Sequence, residues 1–123
     1  MQAGRVEIPG SAPQHTEYAA RSPLPPGGRM TVSVVLAHPD ASDVALVENF
    51  AKDYGLEVPE ASAERRTVKL SGTAEQMERA FGVQLAMFGN AISYTGPITV
   101  PEAMAGKVMA VLGLDQRPVA RRR

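Results

Sequence analysis

Two stretches of the chain repeat one order of apolar and polar positions: a β-branched run, an amphipathic stretch, a glycine and a second apolar run. In the first copy, residues 30–37 are rich in β-branched side chains and predict a strand. Apolar residues then recur at helical spacing over residues 44–54, and Gly55 follows as a left-handed helix end. Asp40 or Ser42 is the expected N-cap, and a second strand begins directly after the glycine.

The second copy follows the same order with clearer end signals. Residues 65–70 predict a strand, and Thr73 with Gln76 forms a capping-box signature, in which each side chain satisfies a free backbone N–H. Gly82 ends the helix, and residues 83–88 predict the returning strand. The helix residues expected to face the core are Met77, Ala80 and Phe81.

Two strand–helix–strand units in sequence predict an α+β fold, the ferredoxin-like split βαβ sandwich. We expect a four-stranded antiparallel sheet with two helices on one face, the two units being joined by a turn at residues 59–62. A short extra strand is expected around residues 92–94. Pro101 is suited to a first helical position and predicts a third, C-terminal helix that ends at residues 113–114.

The distribution of proline, glycine and charge divides the chain into three parts. Residues 1–28 hold five of the ten prolines and four of the eleven glycines, and are predicted to be a flexible leader. The ferredoxin-like domain is expected over residues 29–115. Residues 116–123 contain four arginines and no acid, and form a basic tail or linker.

An apolar sheet face is the first hint of a partner. Val35, Ala86 and Phe88 alternate with the predicted core positions of their strands, so they would lie on the face that the helices leave open. The alternative is that the C-terminal strand and helix fold back and cover this face. The sequence leaves both possibilities open.

Composition excludes several classes of protein. The length fits one domain, 44% of the residues are apolar, and the absence of cysteine excludes disulfides and thiolate metal sites. No apolar run is long enough to span a membrane, and no Sec signal peptide is visible. Outside the basic tail the chain has nine basic and thirteen acidic residues, a net charge of −4, which does not fit nucleic-acid binding.

The residues that could carry catalysis have simpler explanations. His15 and His38 are far apart in sequence and lack nearby carboxylate or cysteine clusters, so we expect no metal site. Carboxylates at positions 40 and 43, and at 75 and 78, fall in first helical turns, where negative charge offsets the helix dipole. There is no nucleophile elbow and no phosphate-binding glycine loop, so no catalytic or cofactor-binding residue is predicted.

Four segments, taken together, resemble the prosegments of the sedolisin (serine-carboxyl) peptidases, above all those of the kumamolisin type. They occur in the family's order and are residues 47–56, 70–85, 98–101 and 111–120. The chain departs from the family in having only residues 38–41 between the first strand and the first helix. Nothing in it resembles the Glu/Asp pair or the Gly-Thr-Ser segment of the peptidase domain.

The resemblance implies a secreted propeptide, not an enzyme, that inhibits its peptidase and assists its folding. The partner would be a sedolisin catalytic domain, with release at acidic pH and a monomeric isolated chain. The segment after Asp115, including Arg117, Pro118 and Val119, would block the substrate cleft. The processing region would be residues 121–123, namely Arg121, Arg122 and Arg123, unless these are only the end of a solvated tail.

Two other functions compete with this interpretation. A stand-alone ferredoxin-like ligand-binding or protein-interaction module would self-associate or bind a small ligand on the open sheet face, and would affect no peptidase. An acylphosphatase-like enzyme is suggested by the fold alone. That enzyme would need an anion-binding loop between the first strand and the first helix, where residues 38–40 supply an acid instead.

Overall fold

The structure, a computed structural model, describes residues 4–11, 21–24, 28–88 and 91–116. Within these ranges the chain forms nine strands, two α-helices and one 3-10 turn at Glu102–Met104. The strands are β1 (Arg5–Glu7), β2 (Arg21–Ser22), β3 (Arg29–Leu36), β4 (Glu57–Ser62), β5 (Thr67–Thr73), β6 (Gln84–Phe88), β7 (Ala91–Thr95), β8 (Thr99–Pro101) and β9 (Val108–Leu112), and the helices are α1 (Ala41–Asp53) and α2 (Ala74–Phe81). The predicted α+β class is confirmed.

The central sheet has four antiparallel strands in the order β4-β5-β3-β9. Because β3 and β4 both run antiparallel to β5, they are parallel to each other, and α1 is the crossover between them. A second sheet has the order β2-β6-β7, and β1 pairs with β8 in a two-stranded ribbon. The chain therefore builds one main sheet and two smaller antiparallel units around a shared core.

The C-terminal part differs from the prediction. A ferredoxin-like order would place β6 beside β3, but β9 occupies that position and β6 pairs with β7 and β2. The helix predicted from Pro101 to residues 113–114 is wrong: the helical conformation lasts one 3-10 turn and a strand follows. Val108 and Val111 are buried in β9, and the ladder of hydrogen bonds to β3 outweighs the local helix-start signal. The exact ferredoxin-like order is not confirmed.

The predicted helix ends are confirmed in detail. Asp40 caps α1, its Oδ1 accepting from the backbone N–H of Ser42 at 2.8 Å. The capping box of α2 is complete: Thr73 Oγ1 accepts from the N–H of Gln76 at 3.2 Å, and Gln76 Oε1 accepts from the N–H of Thr73 at 2.8 Å. Gln76 Nε2 also donates to the carbonyl of Gly55 at 3.1 Å, so one amide joins the start of α2 to the end of α1.

The core lies between the central sheet and the two helices. Alternate residues of β3 and β5 are buried against α1 and α2, and the rings of Phe50 and Phe81 meet at a centroid distance of 5.5 Å. The buried set on these four elements includes Met30, Val32, Val34, Leu36, Val47, Phe50, Ala51, Val68, Leu70, Met77, Ala80 and Phe81. The inward positions predicted for α2 are therefore confirmed.

The predicted leader contributes to the folded part of the molecule. Within residues 1–28 the structure describes residues 4–11, 21–24 and 28, and they include β1 and β2. Ile8 is 4% exposed and belongs to the core. The division of the chain into leader, domain and tail stays a prediction.

The cap of α1 makes stability depend on pH. Hydrogen bonds from the hydroxyl and the backbone N–H of Ser42 hold the pKa of Asp40 below its ordinary value of 3.8. A lowered pKa in the folded state stabilises the fold above the ordinary pKa, and this contribution is lost as pH falls through the lowered value. We expect Asp40→Ala to melt below wild type at neutral pH, with the gap narrowing below pH 3.8. A gap in melting temperature that stays constant from neutral to acidic pH would contradict this role of the carboxylate.

Candidate docking surface

The face of the central sheet that points away from the helices is the candidate docking surface. Cross-strand partners in an antiparallel pair point to the same side of the sheet. Val34 lies opposite Val111, and both are buried on the helix side. The next pair, Val35 with Ala110, therefore points to the open side and is half-buried.

Strand β9 makes one end of this surface apolar. Leu112 lies opposite Ser33 on the open face, and Met109 lies at the register shift between β9 and β3. Both side chains are 57% exposed, and they are the large apolar side chains left exposed among the described residues. Large apolar side chains grouped at one edge of a sheet are typical of a protein interaction site. We call Val35, Met109, Ala110 and Leu112 the apolar docking patch.

The opposite edge of the same sheet is charged. Glu60 of β4 lies beside Lys69 at 3.7 Å and Arg65 at 3.8 Å, and Arg29 pairs with Glu57 at 2.9 Å. Strand β4 also contains a proline and a register shift, features that keep edge strands from pairing with other chains. Strand β9 has no charged residue and no proline, so the two edges of the sheet differ in kind.

The residues that the sequence singled out are not all at this place. Val35 lies in the apolar docking patch, whereas Ala86 and Phe88 lie on β6, in the second sheet. Ala86 is half-buried, and the side chain of Phe88 lies outside what the structure describes. Strand β9 extends the sheet at its edge and does not fold over the open face. That any of these residues binds a partner stays a prediction.

The tail residues Arg117, Pro118, Val119, Arg121, Arg122 and Arg123 lie outside the described residues. The chain can be followed from β9 as far as Gln116, whose backbone N–H donates to the carbonyl of Ile92 at 2.7 Å. Leu114 is fully buried just before this point. The segment that leads into the tail is therefore held firmly against the domain, directly after the docking patch.

A groove of about 250 Å³ borders the docking patch. It is lined by residues 8–11 of the N-terminal segment, by residues 110–112 of β9, and by Tyr94, Ile98 and Asp115.

The candidate metal ligands of this chain are its acidic side chains and its two histidines, which lie apart in sequence. No group of three or more His, Asp or Glu side chains in the described part of the structure is arranged to hold a metal ion. His38 is exposed in the turn between β3 and α1, and His15 lies outside the described residues. Of the helices in the described ranges, none has the length and apolar character needed to cross a membrane.

Sequence reasoning missed Met109 and Leu112 because it assigned them to a helix. The signal that could have found them is the five-residue run of apolar residues, which is short for a helix and includes Val108 and Val111. Alternation counted from Val111 places Leu112 on the open side of an edge strand, whereas Met109 is exposed because of the register shift, which no sequence pattern predicts.

Comparison with known proteins identifies the domain. The family model described as "Pro-kumamolisin, activation domain" matches residues 21–117. Kumamolisin from Bacillus sp. (strain MN-32) is 41% identical over 83 residues, which make up 64% of this chain and 15% of kumamolisin. Residues 21–117 are therefore a propeptide activation domain, and the chain spans only about 15% of the length of kumamolisin. The chain therefore belongs to the pro-kumamolisin activation-domain family, the propeptides of sedolisin-type peptidases.

Proposed function

We propose that this domain inhibits a sedolisin-type acid endopeptidase and assists its folding. The observation that carries the proposal is the match of residues 21–117 to a propeptide activation domain, which implies association with a peptidase catalytic domain. The exposed apolar side chains of β9 supply a surface on which such a partner can dock. The same proposal places the protein outside the cell, as expected of a secreted peptidase's propeptide.

Docking and cleft blocking are two contributions from neighbouring parts of the chain. The apolar docking patch rests on the catalytic domain, and the segment with Arg117, Pro118 and Val119 runs along the substrate cleft. Extended chain in a cleft pairs with its edge by strand addition, and proline holds it extended. The arginines at positions 121–123 form the processing region. Ala86 and Phe88 are a separate, second candidate surface.

Assistance in folding follows from mass action. A domain that binds the native peptidase, but not its unfolded chain, stabilises the native state by an amount that grows with its concentration. Large, slowly folding peptidases gain most from such a partner. Denatured kumamolisin catalytic domain is expected to recover more activity when this chain is present during refolding and is removed afterwards. Equal recovery with and without the chain would exclude the folding role.

Release is proposed to depend on acid. The chain without its basic tail has a net charge of −4, and Asp and Glu side chains in model peptides titrate at about pH 4. Carboxylates paired across an interface stabilise the complex above their unbound pKa, and this contribution disappears as pH falls. The inhibition constant is therefore expected to rise between pH 7 and pH 3. An inhibition constant that does not change between pH 7 and pH 3 would contradict release by acid.

A further inference from the structure

The N-terminal residues 4–11 lie outside the part of the chain that matches the family model, yet they are built into the fold. Strand β1 pairs with β8 along its whole length, with Arg5 opposite Pro101 and Glu7 opposite Thr99. The pairing continues past both ends of the strand: Ile8 N–H donates to the carbonyl of Ile98 at 2.8 Å, and Glu102 N–H donates to that of Gly4 at 3.0 Å. We call residues 4–11 the N-terminal strap.

Arg5 ties the strap to the ends of both helices. Its guanidinium donates to the carbonyl of Ala80, in the last turn of α2, at 2.5 Å and to the hydroxyl of Tyr54, the C-cap of α1, at 3.0 Å. It also donates to the carbonyl and to the hydroxyl of Thr99, at 2.8 and 3.2 Å. A cation at the C-terminal end of a helix is favourable because the last carbonyls carry partial negative charge. One side chain thus links β8, α1 and α2.

The second half of the strap is held by burial and by two further hydrogen bonds. Ile8 is 4% exposed within the core. Ser11 Oγ accepts from the N–H of Ile98 at 2.8 Å, and the hydroxyl of Tyr94 donates to the carbonyl of Ser11 at 2.5 Å. The strap is therefore anchored at Arg5, Ile8 and Ser11, while Glu7 between them is exposed.

The strap covers the edge of β8 and the part of the core beneath it. Within the described ranges β8 pairs with no strand other than β1, and its Val100 and the preceding Ile98 are each 1% exposed. Ile8 to Ser11 also form one wall of the groove beside β9. Removal of the strap would uncover the edge of β8, open the core at Ile8 and remove a wall next to the docking patch.

We propose that attachment of the N-terminal strap sets the stability of this activation domain against opening. Through that stability, the strap sets how long the domain resists digestion by the peptidase that it inhibits. The first half of this proposal concerns the isolated domain. The second half rests on the proposed function. Detachment of the strap would then be a way of ending inhibition without any change in the docking patch.

The experiment compares three full-length variants with wild type by thermal unfolding. Ile8→Ala removes a buried side chain and is expected to lower the melting temperature by about 10 °C or more. Arg5→Ala is expected to lower it by about 5 °C, and Arg5→Lys should not restore it, because an ammonium group cannot span the same acceptors. Glu7→Ala, on the exposed side of the same strand, is the matched control and should change little. Equal melting temperatures for Ile8→Ala, Arg5→Ala and the control would contradict the proposal that the strap stabilises the domain.

Digestion by kumamolisin separates the two halves of the proposal. Intact chain is followed over time in the presence of the active peptidase, together with residual peptidase activity. Ile8→Ala is expected to inhibit at first and to be degraded about 30-fold faster, since proteolysis follows the population of the opened state. Equal lifetimes would overturn the second half. If the wild-type chain did not inhibit either, the proposed function would be contradicted. The melting temperatures would still test whether the strap stabilises the isolated domain.

Discussion

Replacing Leu112 by aspartate is expected to weaken inhibition of the peptidase about 100-fold. The substitution removes an apolar side chain from the proposed contact with the peptidase and buries an unpaired carboxylate in its place. Leu112 is 57% exposed, so the isolated domain loses little packing and should melt close to the wild-type temperature. Titration of peptidase activity at fixed pH, with thermal unfolding of both proteins, measures the two quantities. A large loss of inhibition at unchanged stability would assign Leu112 to the interface.

The matched control for this substitution lies at the other edge of the same sheet. Glu57 is exposed on β4, and its pair with Arg29 is a surface salt bridge of little net value. Glu57→Gln should therefore leave both inhibition and stability nearly unchanged. If Glu57→Gln weakened inhibition as much as Leu112→Asp, the partner would be shown to cover the charged edge as well. If Leu112→Asp inhibited as well as wild type, the apolar docking patch would be excluded as the docking surface.

Replacing Phe81 by alanine is expected to destabilise the isolated domain by about 4 kcal/mol, which corresponds to about 20 °C in melting temperature for a domain of this size. Phe81 is fully buried at the end of α2, and its ring contacts that of Phe50 of α1. Its removal leaves a cavity at the point where the two helices meet. Thermal unfolding followed by circular dichroism measures the change.

Binding to the peptidase should rescue part of this loss. A partner present at 100 times its dissociation constant stabilises the native state by about 2.7 kcal/mol. Phe81→Ala should therefore still inhibit at high concentration, because its docking patch is intact. Met77→Leu is the control: it keeps the volume of a buried side chain of the same helix and should cost less than about 1.5 kcal/mol. Comparable melting temperatures for Phe81→Ala and Met77→Leu would contradict the place given to Phe81 in the core.

Local features could be predicted from the sequence because their physical causes are local. The cap at Asp40 and the capping box of Thr73 and Gln76 need only residues within one helical turn, and the structure confirms them. The same holds for Gly82, whose φ of 67° ends α2 in the left-handed conformation. The inward stripe of α2 followed from its spacing alone.

Long-range pairings could not be predicted, and they decide the candidate surface. Strand β9 pairs with β3 more than 70 positions away, and the strap pairs with β8 more than 90 positions away. The local signals point elsewhere: Pro101 favours the start of a helix, and the proline and glycine content of residues 1–28 favours a flexible segment. A proline-rich segment can still supply an edge strand when a groove in the core accepts one of its side chains, as it does for Ile8.

The most direct test of the central claim is a titration of the purified chain against kumamolisin, following hydrolysis of a fluorogenic peptide at mildly acidic pH. Our account predicts tight inhibition by the full chain and much weaker inhibition after deletion of residues 116–123, because the docking patch remains while the segment in the cleft is lost. Failure of the full chain to inhibit at micromolar concentration, with a correctly folded domain and active peptidase, would contradict the inhibitor role for a kumamolisin-type partner.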